Sequence, residues 1–248
     1  MGKLVTAIIA YIIVLTVNAL ANILPLNGQT TGEISNKINV LFTPAAYVFS
    51  IWGLIYLLLG IWIVRQIPKS RRNKMVYRNT RTLFVISCLL NSLWIFMWHY
   101  EFFAVSVLVM LGLLGTLIRL YVQLKEWDAS FFDRLPFSVY LGWISVATIA
   151  NISYFLTYIE WNGWGISASV WTMLLIGVAT VLALIVLFNE HDRIYPLVFI
   201  WAFIGIGVRN ADQGVAAVVA VAYVAAALIT VFVIIRLFKR KKRYIFSS

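Results

Sequence analysis

Apolar residues run along this chain in long blocks, not in the alternation of strands. Eight blocks of roughly 20 residues hold few charges. They cover about 4–24, 44–65, 80–99, 102–124, 135–158, 165–188, 194–208 and 214–237. A block of that length crosses a hydrocarbon core as helix. Backbone in lipid must satisfy its own hydrogen bonds, and without strand alternation only helices do so. The expected fold class is all-α, a polytopic membrane helix bundle. The seventh block is the shortest and holds Gly205 and Gly207. Were it re-entrant, seven spans would remain and the termini would face opposite sides.

Charge favours the larger count. Basic residues near span ends collect on the cytoplasmic side. The second connection reads "RQIPKSRRNKMVYRNTR" and the C-terminal tail reads "KRKKR" over Lys239–Arg243. With eight spans these fall on one face together with Lys3, Lys125 and Arg134. The other face receives Glu33, Lys37, Glu101, Glu160, Arg209 and Asp212. Both termini are thus expected in the cytoplasm, with residues 239–248 as a basic cytoplasmic tail. A retained first helix is expected, although "NALAN" at Asn18–Asn22 resembles a signal-peptidase site.

Composition agrees with the blocks: 62% of residues are apolar and 12% charged. The net charge of +11 follows from topology and anionic lipid headgroups, so membrane lipids and no nucleic acid are the expected partners. Cys88 is the single cysteine, so no intrachain disulfide forms. The two histidines, His99 and His191, fall in connections on opposite faces and share no metal. There is no ligand-spaced Cys or carboxylate cluster, no phosphate loop and no nucleophile motif. No acidic residue sits near a span centre, which disfavours pumping through a buried carboxylate.

What remains are three stripes, each on one helical face. Trp52, Tyr56 and Gly60 lie four residues apart, as do Trp143, Ala147 and Asn151; Asn91, Trp94 and Trp98 follow i, i+3, i+7. Interfacial belts and helix packing account for many such stripes. Trp52 and Trp143, however, lie roughly 12 Å inside their spans by the helical rise, below a headgroup belt. A buried indole there needs an N–H partner and a flat neighbour, as an aromatic ligand would supply. The first connection, 25–43, is long and polar enough to fold over a bundle mouth as a lid, or to be a plain link.

These motifs resemble the translocator protein, or tryptophan-rich sensory protein (TspO/MBR), family. "YVFSIWGLIYLLLG" is similar to its second helix, with W-x-x-x-Y-x-x-x-G at Trp52, Tyr56 and Gly60. "LLNSLWIFMWHYEFF" is similar to its third. "VYLGWISVATIAN" is similar to its fifth, with Tyr140, Trp143, Ala147 and Asn151 in register. The family's double proline is Pro44-Ala45 here, its next tryptophan is Tyr47, and its fifth-helix proline is Val139. The resemblance covers about residues 1–158 and implies a five-helix TspO-like unit, with three additional transmembrane helices over 159–238.

It further implies a pocket beneath the first loop that binds tetrapyrroles such as porphyrins, or similar planar hydrophobic ligands. The implied role is sensor, regulator or carrier in a bacterial cytoplasmic membrane. The expected ligand-binding residues are Trp52, Tyr56, Asn91, Trp94, Trp143, Ala147 and Asn151. No catalytic residue, metal or required cofactor is expected; a porphyrin or haem-like molecule would be ligand. A rival reading is a secondary transporter or flippase using all eight helices. Light-dependent porphyrin breakdown, known in some members, ranks third because no base, metal or redox centre is present. Alanine pairs Ala216/Ala220 and Ala222/Ala226 offer close helix packing within the chain or a homodimer face.

Overall fold

The structure, a computed structural model, describes residues 2–24 and 26–245, with backbone alone from 239 onward. The side chains of Lys239–Arg243 and residues 246–248 of the expected tail lie outside the described residues. Ten α-helices and no strand occur among the described residues. They are α1 (Gly2–Ile23), α2 (Thr31–Asn36), α3 (Ile51–Val64), α4 (Lys69–Arg72) and α5 (Met75–His99). α6 (Phe103–Glu126), α7 (Phe131–Tyr158), α8 (Ala168–Asn189), α9 (Tyr195–Asp212) and α10 (Ala216–Ile245) complete the set.

Among the described residues, seven helices are long and apolar enough to cross a membrane, which makes the chain a polytopic helical bundle. The seventh expected span, 194–208, departs from this. It forms the continuous 18-residue α9, but its last turns carry Arg209, Asn210 and Asp212 and dilute its apolar stretch. The outer surface is greasy: Leu57, Leu108 and Val178 are 61%, 68% and 61% exposed. Large side chains so exposed along long helices fit contact with lipid.

The chain divides into two compact units. One holds Met1–Val40 and Phe49–Glu160, the other Leu41–Val48 and Trp161–Ser248. In the first, α5 packs against α1 and α6, while α7 packs against α6 and α3. In the second, α10 packs against α8 and α9.

Pro44 is not the first helical residue expected from its place at the head of a block. It lies outside any regular element, and the helix is entered later through a 3₁₀ turn over Ala46–Ser50. The reason lies in the second unit. Ala45 N–H donates to the Gly205 carbonyl at 3.0 Å, Trp201 Nε1 to the Val48 carbonyl at 3.1 Å, and Asn210 Nδ2 to the Leu41 carbonyl at 2.8 Å. Such close approach requires glycine. A Cβ on Gly205 would come within 2.2 Å of Val48 Cγ2, and one on Gly207 within 2.7 Å of the Tyr223 ring.

The first connection is folded rather than loose. Thr30 and Glu33 form a reciprocal capping box that starts α2. His99 Nε2 meets Thr31 Oγ1 at 3.0 Å, and the Trp98 indole donates to the Thr31 carbonyl at 3.3 Å. Tyr154 donates to the Ile34 carbonyl at 2.9 Å, and Lys37 pairs with Glu101. The connection is thereby clamped onto the ends of α5 and α7. His99, expected in a loop, is buried as the last residue of α5.

Candidate ligand-binding site

The stripe on α3 divides its work. Trp52 stacks on Tyr56, centroids 5.5 Å apart and planes 15° from parallel. Tyr56 is buried, and its hydroxyl donates to Asn91 Oδ1 on α5 at 3.3 Å. Gly60 makes room for α1: a Cβ there would lie 2.5 Å from the Tyr11 hydroxyl, which donates to the Tyr56 carbonyl at 2.8 Å.

Asn91, fully buried, is the hub. Its Oδ1 also accepts from Asn18 Nδ2 on α1 at 2.8 Å, and its Nδ2 donates to the Tyr140 hydroxyl on α7 at 2.9 Å. Four helices thus meet at one amide. Amides do this in lipid because an unbonded polar group in hydrocarbon is costly.

Trp143 completes this cluster. It meets Trp52 edge-to-face at 6.1 Å and Phe49 at 5.8 Å. Ring contact at that distance leaves no slot for a planar molecule between Trp52 and Trp143. Trp143 is 2% exposed, and its buried Nε1–H has no hydrogen-bond partner. Trp52 beside it is half-buried. Trp62 also has a buried indole N–H without a partner, but its ring is enclosed by Tyr77, Phe84 and Phe137.

The other expected residues form a second cluster. Trp94 Nε1 donates to Asn151 Oδ1 at 3.0 Å, and Asn151 Nδ2 donates to Ser106 Oγ on α6 at 3.0 Å. Trp94 stacks on Trp98, which contacts Phe103 and Tyr154 beneath the clamped connection. Ala147 lies on α7 one turn from both Trp143 and Asn151, half-buried. So Trp52, Tyr56, Asn91 and Trp143 come together, Trp94 and Asn151 pair in the second cluster, and Ala147 lies on α7 between Trp143 and Asn151. Sequence reasoning missed Asn18, Tyr11 and Phe49 as members of the first cluster. Asn18, a buried amide in an apolar block, carried the signal, which its resemblance to a processing site obscured. No group of metal-ligating side chains gathers among the described residues.

Lipid-length helices with an apolar exterior and an interior of crossed amides and indoles define a polytopic helical membrane protein. Compared with known families, residues 4–235 match the family described as TSPO-like protein, and the chain belongs to that family. The match extends past the five-helix region into α10, so the last three helices are part of what the family shares. No curated protein and no solved structure matches the chain.

Proposed function

We propose that the protein binds a tetrapyrrole or similar planar hydrophobic ligand at the Trp52–Trp143 cluster, serving as sensor, regulator or carrier. One observation carries this reading: the buried, unpartnered Trp143 indole N–H beside the half-buried Trp52 ring. A buried donor left unmade costs about 1–3 kcal/mol, and a ligand acceptor would recover it. With no slot between the two rings, the ligand lies against the uncovered part of Trp52. Tyr56, Asn91, Trp94 and Asn151 serve as frame, since their polar groups bond to one another across helices.

The test is a protoporphyrin titration of the purified full chain, followed by quenching of tryptophan fluorescence. Trp52→Phe with Trp143→Phe is expected to weaken binding about tenfold, the loss of one good hydrogen bond and one ring face. Unchanged affinity in that variant would remove these residues from the site.

A further inference from the structure

A cavity of about 610 Å3 opens at the opposite end of α3 from Trp52, where the start of α5, the end of α6 and the start of α7 also lie. Its wall carries three cations, Arg65 after α3, Arg71 in α4 and Lys74 before α5, against two carboxylates, Asp128 and Asp133. Asp133 is already committed. It accepts from Arg65 Nε at 2.9 Å, the Tyr77 hydroxyl at 2.7 Å and Ser130 Oγ at 2.6 Å. Arg71 and Lys74 have no carboxylate in ion-pair range among the described residues.

The surrounding basic connection does not cancel this charge. Arg72 donates to the Ile67 carbonyl at 2.6 Å; Arg81 donates to Gln66 Oε1 at 2.8 Å and to the Arg72 carbonyl at 2.7 Å. These bonds go to neutral acceptors, and the buried Arg72 Nε has none, so the positive field stays in place. Two long helices also begin at the wall, and neither Lys74 nor Ser130 caps its own helix with a side chain. Their first backbone N–H groups add partial positive charge at the same place.

The rim is apolar. Met75, Trp127 and Phe132 line the cavity and are 47%, 42% and 62% exposed. Aromatic side chains at helix ends sit at headgroup depth, with hydrocarbon on one side and water on the other. A soluble anion needs no such rim, whereas a molecule with a charged head and acyl chains fits both parts.

We propose that this cavity binds the phosphate headgroup of an anionic membrane lipid, with Arg71 and Lys74 on the phosphate and Met75, Trp127 and Phe132 along the upper acyl chains. Basic pockets between transmembrane helices hold such headgroups by charge and shape together. The site stands apart from the tetrapyrrole reading, none of whose residues line it.

The full chain would be placed in mixed phosphatidylcholine–phosphatidylglycerol nanodiscs, and the lipids retained on release measured by native mass spectrometry. The expected result is preferential retention of phosphatidylglycerol. Arg71→Gln with Lys74→Gln should reduce that preference at least about tenfold, two cations' worth at a membrane surface. Lys69→Gln with Arg78→Gln, equal in charge but off the cavity wall, should change it less than about twofold. Arg71→Lys with Lys74→Arg should restore it and shows that the fold survives. Equal losses in both glutamine pairs would assign the effect to the connection's overall charge and overturn the site. Abolition of the preference by millimolar inorganic phosphate would identify a free-anion site and overturn the lipid. No preference in the wild type would overturn both.

Discussion

Asn91 makes bonds to three side chains on three other helices, each measured at 3.3 Å or less. Replacing it with leucine leaves Asn18, Tyr56 and Tyr140 each short of a partner at once. Asn91→Leu should therefore lower stability by about 1–3 kcal/mol, read from unfolding in mixed micelles while helical content is followed. An unchanged midpoint would show that the hub is dispensable. Helical spacing placed Asn91 on the right face of its helix, because a 3.6-residue period assigns faces. It did not reveal the partners, because a period along one helix carries no information on which helix lies opposite. Asn18 and Tyr140 became visible as partners only once four helices were brought together.

At the scale of elements, length and hydropathy located seven spans, since both properties belong to a single segment. α9 was harder to read. Gly205 and Gly207 look like weak points in an apolar block, yet each is where another chain segment comes closest. Gly205→Ala should cost about 1–3 kcal/mol through overpacking, and Val48→Ala in the same chain should recover much of it, because the two positions share one contact. Additive losses would separate them. The capping box of α2 yields a pH expectation. Bonds from the Thr30 backbone N–H and hydroxyl hold Glu33 below its ordinary carboxylate value. A depressed pKa stabilises the folded helix above the ordinary value and ceases to do so as pH falls through the depressed one. Amide exchange over 31–36, corrected for intrinsic rate, should accelerate only in that acid range, and Glu33→Gln should abolish the step. Acid-independent protection in the wild type would contradict this.

For the whole molecule, the tryptophan motifs that carry the resemblance stop at Asn151, which is why it reached only to about residue 158. The family match runs to residue 235, over helices rich in alanine and valine that bear no comparable signature. The other feature hidden from the sequence is that Leu41–Val48 packs with the second unit while the residues on both sides of it belong to the first. A chain cut after Glu160 should therefore expose 41–48 to protease, whereas the full chain protects it; equal resistance would show that the segment holds itself. The same feature also bears on biosynthesis. Ala45 leaves the ribosome 160 residues before its partner Gly205, which at ordinary elongation rates is roughly 10–30 s. For that interval the lead-in to the Trp52 helix is tethered at both ends and bonded to nothing it will finally hold. The nascent protein must keep this stretch unaggregated while α3 to α9 are made, so translation speed and the insertion machinery become part of how the mature structure is reached.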